Sequence, residues 1–148
     1  MMARSALIAA AGLAALLVVS CQTLSGSGAS GAEFAASRQK LIETRTSMDK
    51  AAQDGDLSAV GKAMGEIGTQ FDAIESRGSS MNIMDLESMK IQMATGRHAI
   101  TETDRWIQVN DAEAVRNQVA QLDPILDEID GLLDRAVKSS VPEGSETK

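Results

Sequence analysis

The chain has no tyrosine, one tryptophan and two phenylalanines in 148 residues. A β-domain of this size fills its sheets with aromatic and β-branched side chains, so this scarcity argues against one. There is one cysteine, Cys21, so no intramolecular disulfide can form. The single imidazole, His98, rules out the paired Glu-x-x-His motifs of carboxylate-bridged metal bundles. Bases are outnumbered, 14 Lys+Arg against 21 Asp+Glu. The bases Arg38, Lys40, Arg45, Lys50 and Lys62 stand singly with acids between them. Nucleic acid is held by clustered Lys and Arg, and a helix lying on anionic lipid carries a basic face. Neither pattern is present. Ala, Leu, Met, Glu, Gln, Asp and Lys dominate, mostly good helix formers, and the expected class is all-α.

The lone cysteine closes an unusual segment. Arg4 is the only charged side chain before an uncharged run, ALIAAAGLAALLVVS, from Ala6 to Ser20. A short basic region followed by an apolar core of about 7–15 residues is the layout of a secretory signal. The run is short of the roughly 20 apolar residues a spanning helix needs. Val18-Val19-Ser20-Cys21 resembles the lipobox of bacterial lipoproteins, with Val where that family more often has Leu. The resemblance implies cleavage before Cys21, a diacylglyceryl group on its thiol and further acylation (palmitate) of the new N-terminus. Two or more acyl chains give stable anchoring, at about 0.8 kcal/mol per buried CH₂. Gln22, in place of the Asp that marks inner-membrane retention in enteric bacteria, implies the periplasmic face of the outer membrane.

The expected organisation is a signal peptide over 1–20, a lipidated Cys21 with a flexible Gly/Ser tether over 21–32, a helical body over 33–137 and a disordered tail over 138–148. Within the body, apolar residues recur at helical spacing. Leu57, Val60, Met64, Ile67, Phe71 and Ile74 form one stripe, opened by Asp56 as N-cap. A second runs through Leu86, Met89, Met93, Gly96, Ile100, Thr103 and Ile107, and a third through Val115, Val119, Leu122, Leu126, Ile129, Leu133 and Ala136. The first segment is weaker, with Phe34, Leu41 and Met48 spaced by seven and Ser37, Thr44 and Ala51 between them. Gly78 reads as a C-terminal stop, and Asn110 with Glu113 as a variant capping box. Pro124 falls inside the last stripe without breaking its phase, which predicts one kinked helix. Short connections make neighbours antiparallel, so the predicted fold is an up-down-up-down four-helix bundle. MDKAAQDGDLSAVGKAM, from Met48, also lies over TDRWIQVNDAEAVRNQV, from Thr103, pairing Asp56 with Asp111 and suggesting two similar hairpins.

Residues capable of chemistry are few. His98 is expected on the side of its helix away from the stripe, with Glu102 one turn on, and two ligands make a poor metal site. Met81, Met84, Met89 and Met93 suit Cu(I) as soft ligands, but Met89 and Met93 lie on a core stripe, where Met is a flexible filler. Asp127, Glu128, Asp130 and Asp134 read as a solvated face. Gly61, Gly65 and Gly68 read as points of close helix approach, and Trp106 as a cover for a groove or for the bundle end. The body resembles the four-helix cytochromes of the periplasm, most over WIQVNDAEAVRNQVAQL, but it has no Cys-x-x-Cys-His and no His in the fourth helix, so the resemblance implies fold and not haem. The expected function is a non-catalytic binding or structural module of the cell envelope. It would be held by lipid on Cys21, with no catalytic, cofactor or metal residues and an envelope protein as partner. The second reading is a copper- or haem-handling bundle built on Met81–Met93 and His98.

Overall fold

The computed structural model describes residues 31–140. The signal segment, Cys21 and the tether up to residue 30 lie outside these, as does the tail from 141. Four helices follow in order: α1 Gly31–Asp54, α2 Leu57–Arg77, α3 Ile83–Gln108 and α4 Ala112–Ser139, with a single 3-10 turn, Gly78–Ser80, between α2 and α3. Each packs on its neighbours in sequence and α1 closes on α4, which makes an antiparallel up-down-up-down bundle. One pole therefore gathers the start of α1, the α2–α3 connection and the end of α4. The opposite pole holds the α1–α2 and α3–α4 turns.

The stripes meet in one core. Val60, Met64, Ile67, Phe71 and Ile74 of α2 are fully buried, and so are Met89 and Met93 of α3 and Leu122, Ile129, Leu132 and Leu133 of α4. Burying a side chain of this size contributes about 1.5–3 kcal/mol. α1 buries Phe34, Leu41 and Met48, and with them Ser37 and Thr44. The polar pair is accommodated because Ser37 Oγ accepts from Arg77 Nη1 at 2.9 Å and Thr44 Oγ1 donates to the Lys40 carbonyl at 2.9 Å. Thr103 likewise donates to the Ala99 carbonyl at 2.8 Å. Hydrogen-bonded burial removes most of the cost of desolvating a hydroxyl.

Both turns at the far pole have the same construction. Gly55 (φ 73°) and Asn110 (φ 58°) each take the left-handed conformation that ends a helix. Asp56 N–H donates to the Ala51 carbonyl and Asp111 N–H to the Trp106 carbonyl. Each Asp then caps the next helix, accepting from Ala59 N–H at 3.0 Å and from Ala114 N–H at 2.9 Å. The cap of α4 is thus Asp111 and not Asn110. An N-cap needs extended backbone for its side chain to reach forward, and the left-handed Asn110 cannot supply it. The residues of the two turns correspond one to one along the repeat that pairs Asp56 with Asp111.

α2 stops at Gly78 as predicted, but this C-cap is right-handed and buried and not left-handed. It is small because a Cβ there would lie 2.5 Å from Leu86 Cδ1. The body also extends past both expected bounds, from Gly31 instead of 33 and to Ser139 instead of 137. A Cβ on Gly31 would meet Ser140 Oγ at 2.0 Å, so a tertiary contact holds Gly/Ser residues that lack apolar periodicity. As predicted, one helix, α4, carries Pro124; Pro124 supplies no N–H to the Ala120 carbonyl one turn before it.

Midway along α3, Gly96 lies against an aromatic ring: a Cβ there would stand 2.7 Å from Phe71 Cε2 and 3.0 Å from Cζ. Gly65, by contrast, faces open space. Gly96→Ala is therefore expected to destabilise by about 1–3 kcal/mol through overpacking, despite its better helix propensity. Gly65→Ala should stabilise by up to about 1 kcal/mol. Urea denaturation of the two variants against the parent checks both signs.

Candidate functional site

Two surfaces bring together side chains that carry chemistry. The first is a solvent-open groove of about 610 Å³ between α3 and α4. Thr95, His98, Ala99 and Glu102 line it from α3, and Gln118, Gln121, Pro124 and Ile125 from α4. His98 is exposed, as its position away from the stripe requires. Glu102 accepts from Arg105 Nη1 at 2.8 Å, so its charge is balanced along its own helix. Ala120, whose carbonyl lost its helical donor to Pro124, borders the same groove. A small apolar floor of Ala99, Pro124 and Ile125 under amide and imidazole groups suits binding of a polar group by hydrogen bonds.

The second surface is the seam between α1 and α4. Arg38 forks onto Asp130, with Nε donating to Oδ1 at 2.6 Å and Nη2 to Oδ2 at 3.0 Å, while Nη1 donates to Asp134 Oδ1 at 2.8 Å. Two turns along, Arg45 Nε donates to Asp123 Oδ1 at 3.0 Å and Nη1 to Asp127. The arginines are seven apart on α1, and the aspartates step by four, three and four on α4, so one face of each helix meets the other. The reading of Asp127, Asp130 and Asp134 as a solvated face is incomplete: they stay solvent-accessible, Asp127 most of all, but with Asp123 they pair with α1, and only Glu128 of the expected cluster has no ion pair. A helix face rich in acid is indistinguishable from a solvated one until the opposing arginines are known.

The electrostatics follow from these contacts. The Asp130 hydrogen bond raises the Arg38 pKa above its ordinary value. Burial alone would lower that of Arg45, but Asp127 and Asp123 outweigh it and the net direction is up. Lys138, donating to Asp134, holds the Asp134 carboxyl below the usual carboxylate range, with help from Arg38. Asp49 goes the other way. Burial pushes its carboxyl up, the neighbouring Asp123 adds to this, and Arg45 offsets only part. Asp49 shares a second groove, of about 310 Å³, with Arg116, Gln53 and Asp123.

Other sequence candidates separate in space. Met81, Met89 and Met93 enter the core, whereas Met84 is 77% exposed, so the run of thioethers does not point to one place. Among the described residues no three His, Cys, Asp or Glu side chains are grouped so as to hold a metal ion. Close approach requires none of the α2 glycines: a Cβ on Gly61 would meet Ile107 Cδ1 at 3.4 Å, an ordinary contact, and Gly65 and Gly68 face open space. Trp106 sits in the last turn of α3 at the far pole, 37% exposed. Comparison with protein families, with curated proteins and with solved structures finds no match for this chain.

The opposite shifts of Asp49 and Asp134 give opposite pH dependences. Asp134 binds its proton less readily folded than unfolded, so its contribution is present above the ordinary carboxylate pKa and is lost as pH falls through the lowered one. Asp49 binds its proton more readily when folded, so its contribution is present at low pH and lost as pH rises through its raised value. Asp49→Asn is therefore expected to stabilise the protein, relative to the parent, more at pH 7 than at pH 3. Thermal melts at the two pH values check the sign.

Proposed function

We propose that this chain is a bacterial lipoprotein whose acidic four-helix body is held outside the cytoplasm by lipid on Cys21. There it acts by binding a component of the cell envelope, without chemistry of its own. The observation that carries the reading is the lone cysteine itself. It follows Val18-Val19-Ser20 at the end of a fifteen-residue uncharged run and has no second thiol to pair with. The geometry of the body is in keeping with a binding role. Its ionisable side chains bridge helix to helix at the seams of α1 with α4, of α2 with α3 through Arg97 on Asp72 and Glu75, and of α3 with α4 through Arg135 on Asp85. Charges committed to packing in this way rigidify a surface, and a rigid surface binds with a lower ordering cost.

No helix among the described residues is long and apolar enough to cross a membrane; attachment in this reading is through the acyl chains on Cys21. Gln22 favours the periplasmic face of the outer membrane. The α3–α4 groove, with its amides, His98 and the exposed Ala120 backbone, is the contact surface the body offers to a partner.

Expression of the full chain with radiolabelled palmitate tests the anchor. The expected outcome is label on the mature protein, a mass consistent with cleavage before Cys21, and recovery in the membrane fraction. Cys21→Ala should abolish the label and leave the protein either unprocessed or released to the soluble fraction. A labelled Cys21→Ala variant, or a parent protein whose mature form retains residues 1–20, would refute the reading.

A further inference from the structure

We infer that the α2–α3 corner of the bundle docks on the bilayer that holds the lipid, with Ile83 and Met84 entering its interface; this rests on lipid attachment at Cys21. Ile83 and Met84 open α3 and are 75% and 77% exposed, the two most exposed large apolar side chains of the described residues. Nothing in the bundle requires them there. Asn82 caps the helix, accepting from Met84 N–H at 2.8 Å, and the flanking Met81 and Leu86 provide the packing into the core. Any small polar residue would serve the helix equally well in water, so two large apolar ones point to an apolar surrounding.

The occupant follows from where the chain leaves the bundle. α1 begins at Gly31, beside Ser140 at the end of α4, on the pole that also carries the α2–α3 corner. Nine residues lie between Cys21 and Gly31, and the ten Cα–Cα steps reach at most about 35 Å. α3 itself is about 39 Å long at 1.5 Å per residue. The pole holding Ile83 and Met84 is thus the one tethered to the membrane, and the opposite pole meets the bilayer only if the tether is almost fully stretched or the body lies flat. Tethering turns weak partitioning of two side chains into an intramolecular event at high effective concentration.

Charge points the same way. The acids beside the corner are neutralised in place, Asp85 by Arg135 and Glu87 by Lys90; at the same pole Lys138 is paired with Asp134, and Arg77 stands near Glu33 of the first turn of α1. At the far pole Asp54, Asp56, Asp104, Asp111 and Glu113 outnumber Lys50, Arg105 and Arg116 around the two turns, with Asp54 paired to Lys50. An anionic surface repels the second end more than the first, and a zwitterionic one leaves the choice to the apolar side chains and the tether. The body has no basic helix face to lie flat, so the contact is end-on. Ile91, 64% exposed and one heptad beyond Met84 on the same face, sits at the upper margin of the contact.

Fluorescence quenching by lipid tests this on the full, processed chain reconstituted into phosphatidylcholine vesicles with brominated acyl chains. Trp106, the native reporter, lies about 35 Å along the α3 axis from Ile83. In a Trp106→Phe background, Ile83→Trp should lose roughly half its emission relative to unbrominated vesicles, as for a side chain 5–10 Å into the interface. Ile91→Trp should lose less, and the parent Trp106 almost none. Substitution at so exposed a position leaves the fold intact, and circular dichroism verifies it. Lipid on Cys21 is confirmed by mass spectrometry on the same sample. Absent lipid overturns the anchoring reading and the docking with it. Lipid present with equal quenching at Ile83→Trp and Trp106 overturns docking alone, as does an Ile83→Trp emission that shifts only with protein concentration, which would assign the corner to a second copy of the chain.

Discussion

Everything in this bundle depends on closing α1 against α4, the two helices farthest apart in sequence. The ion pairs across that seam link residues 78 to 96 positions apart. Loop-closure entropy opposes such a contact but rises only slowly with length. The apolar stripes supply the driving force, since Phe34, Leu41 and Met48 reach the same core as Leu126, Ile129 and Leu133. The arginine–aspartate ladder adds little energy, because half-exposed ion pairs contribute about 0–1 kcal/mol each. Its contribution is register. Arg38 forks onto Asp130 in plane, and Arg45 repeats the grip seven residues on, so sliding one helix past the other by a turn would break both sets at once. Register decides which residues share a pole, and through that where the preceding chain emerges.

Against that frame the two halves of the molecule are alike in construction and unlike in surroundings. Gly55 and Asn110 end their helices in the same conformation, and Asp56 and Asp111 open the next ones with the same bond. Met48 and Thr103 stand at equivalent places in the core. The connection between the halves is different. Gly78 is buried under Leu86, a 3-10 turn replaces the left-handed stop, and Ile83 and Met84 project outward. The irregular corner and the chain's entry point share a pole, and the regular acidic turns share the other. The bundle is polar along its axis, a property suited to a body attached at one end.

The legibility of the sequence varied with the range of the interaction. Stripes of α2 and α4 and the Asp56 cap were readable because a helix repeats every 3.6 residues and a cap is local. All seven residues of the α4 stripe are buried, with Leu132 the one missed, since a second leucine beside Leu133 carries no periodic signal. Position 110 against 111 was not readable: both residue types cap helices, and the choice depends on which one takes positive φ. Nor was the role of Asp123, Asp127, Asp130 and Asp134 readable from α4 alone, although Arg38 and Arg45 at matching seven-residue spacing were the signal that would have found it. The glycines of α2 misled because small residues also occur where nothing approaches. The α3–α4 groove was half visible, in His98, Glu102 and the proline. Its depth depends on how two helices splay, which no single helix encodes. The anchor reading, finally, is local chemistry around one thiol and needs no fold.

The central claim is that α1 and α4 close so that Gly31 and Ser140 lie side by side at one pole. A Cβ on Gly31 would stand 3.2 Å from Ser140 Cβ, within a small adjustment of disulfide geometry. Gly31→Cys with Ser140→Cys, in a Cys21→Ser background, tests it most directly. The account predicts that mild oxidation joins the two thiols within one chain and raises stability in urea by about 2–4 kcal/mol over the reduced form, as for a cross-link closing about 110 residues. Thiols that stay free under the same oxidation, or that pair only between chains, would contradict it.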